Sequence, residues 1–324
     1  MNVLITGATG FIGTALIKRL DNVECQLHAM VRPGKHLGNL PTTIQQIVVR
    51  TLLGNTEFND ALHKIDAIVH LAARAHVMVE SSTDPLSEYR AINTAGTEHL
   101  ARQAAAAGVK RLVFLSSVKV NGEGRSEPFT EEDLPVPSCP YGVSKQEAEQ
   151  ALRRVSAETG LEVVILRPPL VYGAGVKGNF LRLLKAVDRG FPLPFGRIRN
   201  KRSFIYLGNL VDIIAICLTH PKAANQIFLV SDGEDISTPE LTRRVAVALG
   251  RPTRLLTFPA LVLRISGWLF GKSAAVKRLV ESLRIDSSKI HSELGWHPSY
   301  TMEQGLRETA EWFKNNARNQ DRGK

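Results

Sequence analysis

Along the first half of the chain, short runs of apolar and β-branched residues alternate with stretches of helical period. Residues 2–6, 26–31, 44–49, 67–71, 112–116 and 162–166 are apolar almost without interruption, as strands covered on both faces should be. Between them, residues 11–20, 86–107 and 144–158 repeat apolar positions every three to four residues, with Gly108 and Gly160 placed as C-terminal stops. Strands alternating with helices predict an α/β protein built on a doubly wound, Rossmann-type parallel sheet. After Pro168 and Pro169 the pattern loosens into a glycine-rich loop, a helix, a basic Pro/Gly-rich segment at 191–202 and several short helices. The expected division is therefore a domain over residues 1–167 and a smaller mixed α/β lobe over 168–314. Residues 226–230 read as a strand returning to the sheet, and residues 315–324 as a flexible tail.

Composition narrows the class. The 324 residues suffice for a large core, and no internal repeat interrupts them. Met1 leads directly into an apolar run without a basic leader, so no signal peptide is expected. The most apolar later stretch, 255–270, is broken by Pro259, Arg264, Ser266 and Gly267, short of the roughly 20 residues a membrane span needs. A surface or partner contact is its alternative use. Cys25, Cys139 and Cys217 lack metal-type spacing and form an odd set, which predicts neither a disulfide framework nor a metal site and points to a reducing cytoplasm.

Charge is uneven. Residues 1–150 carry 14 Lys and Arg against 16 Asp and Glu, whereas 151–324 carry 27 against 15. The second half attracts anions, yet it has no zinc-finger spacing and no RNA-binding aromatic motif, so nucleic acid is not expected. A nucleotide diphosphate suits it better.

Two motifs carry chemistry. GATGFIG sets Gly7, Gly10 and Gly13 between a strand and a helix, where backbone amides and the helix N-terminus meet a dinucleotide pyrophosphate. Arg32, at the end of the second strand, stands where a basic residue accepts a 2′-phosphate, which tilts the expected cofactor toward NADP over NAD. The second motif is Tyr141 with Lys145. A tyrosine is a poor acid or base at its ordinary pKa of about 10, and an ammonium one helical turn away stabilises its phenolate.

Together GATGFIG, HLAA at 70–73, Ser116-Ser117, YGVSK at 141–145, RPPLVYG at 167–173 and RSFIY at 202–206 resemble the extended short-chain dehydrogenases of the NAD-dependent epimerase/dehydratase family. Within it, SSVKVNGE and HLAARAHVM are most similar to bacterial UDP-sugar enzymes that include UDP-N-acetylquinovosamine dehydrogenases, which act as 4-keto reductases. The resemblance implies Tyr141 as general acid/base, Lys145 as its partner and as a contact of the nicotinamide ribose, and Ser117 as the group polarising the substrate oxygen. It further implies a cofactor cleft formed by Gly7, Gly10, Phe11, Ile12, Gly13, Arg32, Leu52, Leu71, Ala72, Ala73, Lys145 and Pro168. Lys119, Asn121, Asn179, Arg202 and Arg278 fall at positions implied to hold a UDP-sugar. Homodimerisation through the helices at 86–107 and 144–158 is a family expectation; an alanine face at Ala101, Ala104 and Ala105 suits either a dimer or packing on the chain's own sheet.

Departures from the family pattern sharpen the expected function. Asn121 stands where many epimerases carry Tyr, Leu170 where UDP-galactose-type epimerases carry Asn, and Thr51 where an acidic residue contacts adenine. No Asp-Glu pair follows Ser117, so 4,6-dehydration is not expected. The leading expectation is hydride transfer to C4 of a 4-keto UDP-(N-acetyl)hexose in surface-polysaccharide synthesis. A 4-epimerase with bound NAD is the alternative, and a non-catalytic dinucleotide-binding protein a distant one.

Overall fold

The computed structural model describes residues 1–21, 24–35, 44–75, 82–125, 127–259, 265, 268, 269 and 273–322. Six strands of the first half, β1 (Asn2–Thr6), β2 (Gln26–Val31), β3 (Gln45–Val48), β4 (Ala67–His70), β5 (Arg111–Leu115) and β6 (Glu162–Arg167), join β9 (Ile227–Leu229) in one sheet. Its order is β3-β2-β1-β4-β5-β6-β9, and every neighbouring pair is parallel. The order reverses between β1 and β4, the crevice where open α/β sheets bind ligands.

Strand alternation splits the core between the two faces of the sheet. Val3 and Ile5 point into a cluster that includes Leu16, Ile17 and Leu20 of α1 (Phe11–Leu20). Leu4 points to the opposite cluster, with Leu100 and Ala104 of α4 (Gly96–Ala106) and Leu152 and Val155 of α5 (Pro140–Thr159). Ala101 and Ala104 are fully buried in that second cluster and Ala105 packs against it, so the alanine face covers the chain's own sheet.

The helix expected over 86–107 is three pieces: α3 (Pro85–Tyr89), a π-helical stretch (Arg90–Ala95) and α4. A small second sheet, β10 (Asp235–Ile236), β8 (Arg202–Tyr206) and β7 (Leu170–Tyr172), builds the lobe. After β8 the chain returns to the main body, because α7 (Leu207–Cys217) packs on α1 and β9 pairs with β6. The last helix, Met302–Arg322, runs through Asn315, where polar composition predicts a tail. Leu306, Ala310 and Phe313 are buried on one face and carry the helix onward. Among the described residues no helix is long and apolar enough to cross a membrane.

Candidate active site

The glycine turn is held by close backbone contact. Gly7 has φ +69°, and a Cβ there would lie 2.8 Å from Ala72 N, so the turn nests against the loop after β4. Thr6 fastens that loop: its Oγ1 accepts from Ala72 N at 3.2 Å and bonds His70 Nδ1 at 2.7 Å. A Cβ on Gly13 would come within 2.3 Å of Gly7 O, so only glycine lets α1 start this close to the turn. Gly10 caps α1 without a side-chain hydrogen bond. The leading amides of α1, at Phe11, Ile12 and Gly13, therefore have no intrahelical acceptor and suit a pyrophosphate.

The other residues assigned to the cofactor cleft take varied positions. Leu71, Ala72 and Ala73 are half-buried after β4, and Leu52 is half-buried with its carbonyl set against Gly96. Pro168 is buried, and its carbonyl accepts from Val118 N at 3.0 Å. Arg32 and Thr51 are exposed. His70 lies between Thr6 and Thr97 and stacks on Phe114; burial, then Lys145, pushes its pKa down to about 3, so it stays neutral.

Ser117 and Tyr141 meet at the carboxyl end of β5. Ser117 caps the short turn Val118–Val120, accepting from Lys119 N at 3.2 Å, and its hydroxyl is near enough to the Tyr141 phenol to influence its ionisation. The first turn of α5 nests on that turn, because a Cβ on Gly142 would lie 2.7 Å from Lys119 O. The Tyr141 ring is half-buried and edge-on to Tyr89, with centroids 6.2 Å apart. Burial, then Cys139 and Tyr89, raises the phenol's pKa well above its ordinary value, and the nearby Ser117 hydroxyl opposes this.

Lys145 is 2% exposed. Its Nζ donates to Leu115 O at 2.8 Å and sits 4.1 Å from the centre of the Phe114 ring. Burial pushes its pKa down to about 7, against the attraction of Glu149. The expectation that Lys145 lowers the Tyr141 pKa therefore needs correction for the protein alone. The same burial disfavours both charged forms, and the ammonium faces a strand carbonyl.

Two supports of this centre escaped sequence reasoning. Asn93, in the π-helical stretch, accepts from Arg74 N at 2.8 Å and donates to Arg74 O at 3.1 Å and Ser144 Oγ at 3.0 Å. It ties the loop after β4 to α5; its one sequence signal is a polar residue on a buried helical face. The other is the buried Glu149–Arg167 pair, to whose carboxylate Ser116 also donates.

Of the residues assigned to a UDP-sugar, Lys119, Arg202 and Arg278 come together. Lys119 pairs with Glu123, and Glu123, Arg202, Arg278 and Glu281 line one pocket. Burial, then Arg278, lowers Arg202 to about 10, although Glu281 raises it; burial likewise takes Lys119 to about 8. Asn121 instead turns inward, 1% exposed, accepting from Arg167 at 3.1 Å and donating to Thr130 O at 3.1 Å. Asn179 is exposed in the first turn of α6 (Gly178–Asp188), and Leu170 opens β7 at 37% exposure. Residues 76–78 of the HLAARAHVM stretch lie outside the described residues. Among the described residues no cluster of three or more His, Cys, Asp or Glu could hold a metal.

Comparison with known proteins finds relatives along nearly the whole chain. A UDP-glucose 4-epimerase of Vibrio cholerae is 46% identical over 316 residues, covering 96% of this chain and 95% of its own. A UDP-glucose 4-epimerase of Thermotoga maritima, solved with UDP-glucose, has the same fold, with TM-score 0.79, 24% identity, and coverage of 98% of this chain and 100% of that one. The enzyme MoeE5, solved with UDP-glucuronic acid and NAD, aligns with TM-score 0.78 and 27% identity over 98% of this chain and 100% of that one. Residues 3–231 match the NAD dependent epimerase/dehydratase family. A strand-turn-helix cradle, a hydroxyl–phenol–lysine cluster at the strand ends and relatives of nearly equal length lead to one conclusion: the chain belongs to the NAD dependent epimerase/dehydratase family.

Proposed function

We propose that the protein is a UDP-hexose 4-epimerase working with a retained NAD. The observation that carries this over 4-keto reduction is the 46% identity to a UDP-glucose 4-epimerase across almost the whole of both chains. Reduction toward UDP-N-acetylquinovosamine, placed first by the SSVKVNGE and HLAARAHVM segments, gives way to it. NAD rather than NADP fits a solved neighbour that holds NAD.

Gly7, Gly10 and Gly13, with the amides of Phe11 and Ile12, hold the pyrophosphate, while Lys145 reaches the nicotinamide ribose. The bound nicotinamide supplies reversible hydride exchange with C4. Ser117 holds the C4 oxygen. Tyr141 takes the hydroxyl proton as C4 is oxidised and returns it after the keto sugar presents its other face. Arg202 and Arg278 hold the diphosphate by charge-assisted bonds.

A Tyr141→Phe variant tests the assignment. It keeps UDP-sugar affinity within about threefold and loses about 10²–10⁴-fold in turnover. Full activity in this variant would rule out Tyr141 as the acid/base.

A further inference from the structure

Four positive and two negative side chains meet beside the Ser117–Tyr141 centre. Lys119, two residues past Ser117, pairs with Glu123. Lys277 approaches Glu281 at 3.9 Å. Arg202 and Arg278 form no ion pair among the described residues; Arg202 Nη1 donates only to the carbonyls of Arg278 and Glu281, at 2.9 and 3.0 Å. After pairing, the surplus is these two guanidinium charges, equal to the two negative charges of a sugar-nucleotide diphosphate.

The position of Lys119 gives that balance a meaning. Its backbone is fixed by Ser117 Oγ and by the close approach of Gly142, next to Tyr141, while its partner Glu123 lines one pocket with Arg202 and Arg278. It therefore lies between the C4 chemistry and the diphosphate, where the rest of the hexose ring must pass. An unpaired ammonium there would attract a carboxylate on the sugar. Glu123, 18% exposed in its side chain, cancels it.

We propose that Glu123 is a specificity-determining residue: by neutralising Lys119 it matches the site to UDP-linked neutral hexoses and against UDP-linked hexuronic acids. The inference rests on the UDP-sugar reading above. Charge complementarity selects partners largely by penalising the mismatched one, here a third negative charge facing Glu123.

The test is calorimetric binding of UDP-glucose and UDP-glucuronic acid to the full-length, NAD-loaded protein. The wild type is expected to favour UDP-glucose by at least about tenfold, the effect of ~1.4 kcal/mol. Glu123→Gln is expected to shift the ratio toward UDP-glucuronic acid by about tenfold, and Lys119→Gln/Glu123→Gln to restore it by removing both charges. An unchanged ratio in the single variant, or a wild type that binds both ligands equally, overturns this inference and leaves the UDP-sugar reading intact. Binding of neither ligand overturns both.

Discussion

Arg167 and Glu149 form an ion pair at 2.5 Å with only 3% and 4% of their side chains exposed, directly behind the Tyr141–Lys145 turn of α5. The pair binds three elements. Glu149 also accepts from Ser116 at the end of β5, and Arg167, at the end of β6, reaches Asn121 after the Ser117 turn. It therefore sets the spacing between Ser117 and the helix that carries the phenol and the lysine.

Breaking one side of this pair strands a buried charge. Glu149→Ala should cost about 3–5 kcal/mol, whereas Glu149→Leu/Arg167→Met, which removes both charges, should cost much less. Urea denaturation of the three proteins checks this, and equal losses in the single and double variants would contradict it.

Lys145 gives a pH signature. Its pKa is about 7 when folded against an ordinary 10.5, so between those values the unfolded chain binds more protons. Its contribution to stability therefore rises with pH across that window and is flat below it. Lys145→Met should flatten the wild-type rise in thermal stability between about pH 7 and 10 while cutting turnover by about 10²-fold or more. Thermal melts across pH, compared between the two proteins, isolate the lysine from Lys119 and Arg202, which titrate in the same direction.

Gly13 and Gly108 separate two reasons for glycine. A Cβ at Gly13 strikes Gly7 O at 2.3 Å, so Gly13→Ala should abolish the rise in melting temperature on adding NAD. Gly108 has φ +81° with nothing within 4 Å, so Gly108→Ala should cost only about 1–2 kcal/mol of backbone strain and keep that rise.

Arg32 is exposed at the end of β2, in reach of solvent and not of a protein carboxylate among the described ion pairs. Arg32→Ala should weaken NADP by about tenfold and NAD by less than about twofold, as fluorescence titration with each cofactor would report.

The inner strands were legible because doubly covered strands are apolar throughout, whereas the edge strand β3 is mostly exposed; α1 was legible because its period and boundaries are undisturbed over 11–20. The π-helical stretch was not. Its backbone follows from Asn93 and Thr94 reaching Ser144, a tertiary demand without a sequence period. The start of α5 falls at Pro140 rather than 144, since proline at the first helical position and Gly142 against Lys119 O carry the helix back through Tyr141. The Tyr141–Lys145 spacing is one turn of α5, but it carries no sign of the orientation of the ammonium, which burial and the Leu115 carbonyl decide. The Lys119–Arg202–Arg278 cluster draws on three distant segments, so only the family resemblance placed its members in one site before the fold did.

The most direct test is the fate of the nicotinamide during turnover. Purified protein with UDP-glucose and a trace of NAD should form UDP-galactose, measured by NMR, through many turnovers without net change in the absorbance of reduced cofactor. Absence of UDP-galactose, together with stoichiometric oxidation of NADPH on a 4-keto UDP-sugar, would contradict the epimerase assignment and return the protein to the reductases.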